Sequence, residues 1–102
     1  MTTLNAKTIV GTEIDPGSDG VNVGKYLLAQ KIPLQDLAID VTDLAPEDLV
    51  SNFVNGILHE LETANLNVAD AQRITWKAKF PSEAQRLAEI VRLYVEDWKK
   101  RK

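Results

Sequence analysis

Three stretches of this chain carry residue types that can do chemistry. The first is glycine-rich, "DPGSDGVNVGKY" from Asp15 to Tyr26. A P-loop needs a glycine, four residues, then Gly-Lys and a hydroxyl residue, so that backbone amides wrap a phosphate and the hydroxyl reaches magnesium. Counting back from Gly24 and Lys25, the first position is Asp19, and Tyr26 stands where Ser or Thr is required. An acid at the cradle repels phosphate, so this motif fails. The spacing of Gly20 and Gly24 does not meet the dinucleotide pattern G-x-G-x-x-G. An EF-hand starting at Asp15 would end at Tyr26 instead of the bidentate Glu that calcium needs. The stretch is therefore predicted to be a Pro-Gly turn, with Ser18 or Asp19 capping the helix that follows.

The second set is Ser51, Asn55 and the single histidine, His59, at four-residue spacing, with Asn52 beside them. On a helix this spacing gives one polar stripe. It does not give a Ser-His pair, because eight residues at ~1.5 Å each separate Ser51 from His59 by about 12 Å. One histidine also makes no histidine-rich metal site. Solvent or a partner is the expected neighbour of this stripe, and catalysis is not expected. The third set is acidic: Asp36, Asp40, Asp43, Glu47 and Asp48. Ligands of open α/β folds bind at the carboxyl ends of strands, so a divalent cation is one reading of it. Compensation of a helix dipole and solvation of a loop explain the same residues without a cation, and no metal or other cofactor is predicted.

The elements that position these residues follow from periodicity. "KTIVGTEI", Lys7 to Ile14, is β-branched and short and reads as a first strand closed by the turn at "DPGSDG". Val21, Val23, Leu27 and Leu28 fit a helix to about Gln30, which Pro33 prevents from continuing. "LAIDV", Leu37 to Val41, is a buried strand. From Pro46 the clearest helix runs to a stop at Asn65. Leu49, Val50, Phe53, Val54, Ile57, Leu58 and Leu61 line its apolar face, and Glu47 and Asp48 sit at its positive end. "NVADAQ" reads as a loop. In "RITWKAKF", Ile74, Trp76, Ala78 and Phe80 alternate with Arg73, Thr75, Lys77 and Lys79, the pattern of a strand with one wet face. Ser82 with Gln85 is a capping box opening the last helix. Its buried face is Ala84, Leu87, Ala88, Val91, Tyr94, Val95 and Trp98, and Ile90 and Leu93 lie off that face. The basic end, Trp98 to Lys102, is read as a frayed helix terminus, and the aromatics as core or core edge.

The prediction is one α/β domain over residues 1–102, with three to four mostly parallel strands and three helices. Its length suits a single modest core. A hydrophobic share of 44% with 26% charged residues is that of an ordinary soluble domain. Cysteine is absent, which excludes disulfides and thiolate metal sites. A net charge of -3 argues against nucleic acid as the main partner. "MTTLNAKTIV" has no charged region followed by a long apolar run, and no apolar stretch approaches the ~20 residues that span a bilayer. A cytoplasmic location without membrane contact is the expectation.

With the elements in order, "LAIDVTDLAPEDLVSNFVNGILHEL" resembles the centre of the STAS-like domains, small bacterial relatives of the sulfate-transporter and anti-sigma-antagonist fold. In that family an apolar strand ends in an acid, a short loop follows, and a Ser-rich helix start carries a Phe. Here those parts are Asp40, the loop Thr42 to Ala45, and Ser51-Asn52-Phe53. The resemblance covers most of residues 8 to 62. It implies a regulatory module that binds protein, paired with an ATPase or regulator of the histidine-kinase type. It also implies Ser51 as the counterpart of a phosphorylated serine, and Ser51, Asn52, Asn55 and His59 as the partner-facing surface. Two other classes stay open: a structural or oligomer-forming subunit, and a small enzyme with an acidic metal site.

Overall fold

A computed structural model describes residues 2–10, 16–44 and 51–101. Three strands, β1 (Thr2–Asn5), β2 (Leu37–Asp40) and β3 (Thr75–Lys77), form one sheet in the order β1-β2-β3. Both pairings are parallel. Thr2 lies opposite Leu37 and Asn5 opposite Asp40, while Ala38 faces Thr75 and Asp40 faces Lys77. The α/β class and the parallel sheet are as expected. Five helices accompany the strands among the described residues, where the sequence led us to expect three. They are α1 (Ala6–Val10), α2 (Pro16–Ala29), α3 (Ser51–Thr63), α4 (Val68–Gln72) and α5 (Pro81–Arg101).

The central strand is the apolar one. Leu37, Ala38 and Ile39 are all buried, the continuous apolar run expected of the middle strand of a parallel sheet. Right-handed crossovers in this strand order place the connecting helices on one face of the sheet. In keeping with that, α2 packs along α3, and α3 in turn along α5. Phe53, Val54, Ile57, Leu58 and Leu61 of α3 are all fully buried, the apolar face read from their spacing. Leu49, Val50, Pro46, Glu47 and Asp48 lie outside the described residues.

The first strand is not where the β-branched run suggested. Lys7 to Val10 lie in α1, the strand is Thr2–Asn5, and residues 11–15 lie outside the described residues. Asn5 decides the switch: its side-chain Oδ1 accepts the Thr8 amide at 3.2 Å, an N-cap that outweighs the β-propensity of Thr8, Ile9 and Val10. Ala6, fully buried, anchors the helix so started.

The glycine-rich stretch is also corrected. Residues 16–20 are helical, so neither the Pro-Gly turn nor a cap at Ser18 or Asp19 forms there. Proline fits the first helical position, where its missing N–H has no partner to lose. The glycines serve packing. A Cβ at Gly20 would lie 2.1 Å from the Phe53 carbonyl oxygen, and one at Gly24 2.6 Å from Glu60 Cβ. Four-residue spacing puts both glycines on one side of α2, where its backbone lies directly against α3.

Both of these helices end in the same way. Lys31 (φ 53) and Asn65 (φ 61) take the left-handed conformation. Ile32 N donates to the Leu27 carbonyl and Leu66 N to that of Leu61, with inner bonds from Lys31 N to Leu28 and Asn65 N to Glu62. This is the Schellman pattern. Asn65 is the stop its type suggested. In place of the expected loop, "NVADAQ" contains α4, because Asn67 Oδ1 accepts the Ala69 amide at 2.8 Å.

In the last third, strand pairing covers only Thr75 to Lys77, and Phe80 is 50% exposed instead of inward. The capping box fails because α5 starts two residues earlier than a Ser82 cap requires, at Pro81. The Phe80 carbonyl accepts the amides of Glu83 and Ala84, which leaves Ser82 inside the first turn. Leu87, Val91, Val95 and Trp98 are buried as read, while Ala88 is exposed. The C-terminal basic residues belong to the helix through Arg101. None of the described helices is long and apolar enough to cross a membrane.

Candidate functional site

The polar stripe of α3 runs along α5. Ser51 and Asn55 face Ile90, Leu93, Tyr94 and Asp97 across a cleft of about 140 Å³. One turn and more further along, His59 opens with Glu62, Thr63 and Asn65 on a wider cleft of about 600 Å³ bounded by Tyr94 and Arg101. Tyr94 lines both, so the two clefts adjoin along the groove where α3 and α5 pack. Ser51, Asn52 and His59 are exposed and Asn55 is half-buried; Asn52 lines neither cleft. Three of the four sequence-derived residues are thus brought to one groove, and the stripe is not the open helix back that spacing alone suggested. Leu93, 50% exposed, is the apolar centre of its far wall.

The floor of the groove is tied by ionic contacts that periodicity does not register. Glu62 Oε1 accepts the Tyr94 hydroxyl at 2.6 Å, and Arg101 donates to both Glu62 oxygens at 2.7 Å. The guanidinium also lies over the Tyr94 ring, 5.4 Å from its centre, and Tyr94 meets Trp98 edge-on at 6.3 Å. Hydrogen bonds from Arg101 hold the Glu62 carboxyl down to about 2. Burial opposes this, and Tyr94 and the charges of Arg101 and His59 add to it. Burial first and Glu62 second push the Tyr94 hydroxyl well above its ordinary value. A fork-shaped Arg-carboxylate pair of this kind fixes geometry as well as charge. It secures the end of α5 to α3, so the helix end read as frayed is fastened.

Among the described residues, the acids around β2 do not assemble a cation site. Asp40 Oδ1 accepts the amide and the hydroxyl of Thr42 at 2.9 and 2.6 Å. Those two bonds lower its pKa, burial works against them, and Lys77 adds a smaller charge effect. Asp43 accepts from the Asn5 side-chain amide at 2.8 Å. Both carboxylates therefore shape the turn after the strand, a local use that short polar residues favour. Asp36 lies in the short 3-10 turn Leu34–Asp36, and Glu47 and Asp48 lie outside the described residues. Among the described residues, no three His, Asp or Glu side chains converge to hold a metal ion.

Glu62, Tyr94 and Arg101 were missed because their partners lie 32 and 39 positions away. The available signal was weak: Tyr94 and Arg101 are seven residues apart on α5, which places them on one face two turns apart. No protein-family model, no curated protein and no solved structure matches this chain.

Proposed function

We propose that the chain is a non-catalytic regulatory module that binds another protein through the groove between α3 and α5. The observation that carries this reading is Leu93, half exposed opposite Ser51 and Asn55. Leu93 shares its cleft with Ile90 and Tyr94, faces the small, neutral polar groups of Ser51 and Asn55, and has Asp97 at the same lining. Apolar contact with a polar border is how the core of a protein interface is made. Both walls are helices secured to each other by the Glu62 cluster, so a partner segment meets a preorganised surface. Ser51 and the lone histidine open on different parts of the groove, and this supports a binding role over a nucleophile-base pair. The resemblance of the Asp40-to-Phe53 segment to STAS-like domains supports the same class, and with it a histidine-kinase-type ATPase or a regulator as partner in the cytoplasm.

The test is affinity capture from the native host with the wild type, Ser51→Asp and Leu93→Asp, the fold of each variant checked by circular dichroism. Loss of one specific partner from both folded variants is the expected result, because each adds a charge to the groove that binding would have to desolvate. Identical partner sets at equal recovery would remove the groove from consideration. If light scattering instead shows a wild-type oligomer that Leu93→Asp dissociates, the groove serves assembly of the chain with itself.

A further inference from the structure

The sheet ends at β3, and that edge has a chemistry of its own. Among the described residues no strand pairs with its outer side. The Lys77 carbonyl accepts the Val41 amide at 2.8 Å, so Lys77 directs its backbone groups to β2. Alternation along a strand then turns the N–H and C=O of Trp76 to the open edge. Two side-chain environments flank that edge. On the wet face Thr75 and Lys77 are exposed, with Lys79 exposed two residues on. On the core face Trp76 is half-buried and helps to line a cavity of about 220 Å³ with Gln72, Ile74, Ala88, Val91 and Arg92.

We infer that the β3 edge accepts a fourth strand, supplied by a partner segment in which acidic and apolar residues alternate. Strand addition of this kind draws affinity from main-chain hydrogen bonds and selectivity from the side chains on either face. Residues of the added strand on the wet face would lie beside Lys77 and Lys79, where carboxylates pair and ammonium groups repel. Residues on the core face would lie beside Trp76 and its cavity, where an aliphatic side chain buries apolar surface. The same lysines disfavour a second copy of this chain, because pairing β3 with itself would set like charges side by side. Asp40 meets part of the Lys77 charge, but its carboxylate is held mainly by Thr42. Lys79 is placed over the Phe80 ring, 5.6 Å from its centre, and has no carboxylate partner among the described residues.

The probe is an end-capped heptapeptide of alternating Glu and Val, titrated into the isotope-labelled chain and followed by NMR and amide exchange. The expected result is saturable binding that slows exchange of the Trp76 backbone amide and shifts its indole N–H. A Lys-Val peptide should bind about tenfold more weakly, and Lys77→Gln with Lys79→Gln should weaken the Glu-Val peptide by a similar factor. A fully N-methylated Glu-Val peptide keeps its charges but loses its amide donors, and it should not bind. Equal binding of the methylated peptide would reduce the effect to charge attraction and overturn strand addition. No binding at millimolar peptide, or protection of Trp76 by self-association of the chain alone, would overturn the proposal as well. Capture of a partner at the α3–α5 groove is read out separately, so either proposal can fail without the other.

Discussion

Tyr94 on α5 donates its hydroxyl hydrogen to Glu62 on α3 across 2.6 Å, and Arg101 closes on the same carboxylate from two turns further along. This cluster makes a pH-dependent contribution to stability. The Glu62 carboxyl is held at about 2 in the fold against an ordinary 4.5. A depressed carboxyl takes up its proton more readily in the unfolded chain, so its stabilising effect is complete above the ordinary value. It is lost as pH falls through the folded value. Denaturant titrations between pH 6 and pH 2 should therefore show wild-type stability declining from about 4.5 towards 2. Glu62→Gln should be flatter in that window, leaving the decline due to Asp40 and Glu89, whose carboxyls are lowered in the same direction by Thr42 and Arg92. An unchanged slope in Glu62→Gln would show that Arg101 does not hold the carboxylate in solution.

Phe53 tests the apolar face of α3. It is fully buried between α3 and its neighbours, and its carbonyl oxygen is the atom that Gly20 approaches. Phe53→Ala should cost about 3–5 kcal/mol, enough to unfold a domain of this size at ordinary temperature. Thermal unfolding followed by circular dichroism measures it. A cooperative transition at the wild-type midpoint would place a different face of α3 inward.

The parts of this fold legible in the sequence were those fixed by repetition over many residues. The apolar periodicity of α3, the continuous apolar run of β2 and the alternation around Trp76 each gave the right element. Asn65 was legible because few residue types end a helix at positive φ. What went unread was set by single local bonds or by distant contacts. The Asn5 and Asn67 side chains each start a short helix with one hydrogen bond, too brief a signal for a pattern to register. The glycines of α2 looked like turn residues because glycine serves both turns and close packing, and only the position of α3 distinguishes the two. For the candidate site, spacing placed Ser51, Asn55 and His59 along one stripe of α3, of which Ser51 and Asn55 line one cleft and His59 the next. It could not reveal that α5 lies alongside them, since that depends on a contact between distant segments.

The close approach of α2 to α3 has a measurable cost if it is filled. Alanine is a better helix former than glycine by about 1 kcal/mol, so Gly20→Ala would stabilise an exposed helix. Here the added methyl would meet backbone, 2.1 Å from the Phe53 oxygen, and the helices must separate. Net destabilisation of roughly 1–3 kcal/mol is expected, with a smaller loss for Gly24→Ala, whose first neighbour is a side chain. Equilibrium denaturation of the two variants decides it. A gain in stability for Gly20→Ala would show that the helices are not in contact there.

The same geometry bears on nucleotide binding. The amides from Gly20 to Lys25, which a P-loop would use, lie within α2, where helical hydrogen bonds to the preceding turn occupy them, so they cannot wrap a phosphate. Calorimetry with ATP or GTP and magnesium should detect no binding. Micromolar affinity abolished by Lys25→Ala would contradict the helical assignment of this stretch.

The start of α5 offers the sharpest local test. Phe80 supplies the carbonyl that accepts from Glu83 and Ala84, which makes it the residue capping the helix, yet its side chain can accept nothing from the first turn. It is half exposed and lies apart from the hydrophobic core. A serine there would bring a hydroxyl to the free amides, and Glu83, three residues on, would complete a capping box with it. Comparing Phe80→Ser with Phe80→Ala cancels whatever the aromatic ring contributes, including its contact with Lys79. The serine variant should be the more stable of the two by about 0.5–2 kcal/mol. The difference should persist at high salt, because it rests on a hydrogen bond and not on an ion pair. Equal unfolding midpoints would mean that α5 begins elsewhere, and the box at Ser82 and Gln85 would then be the cap to test next.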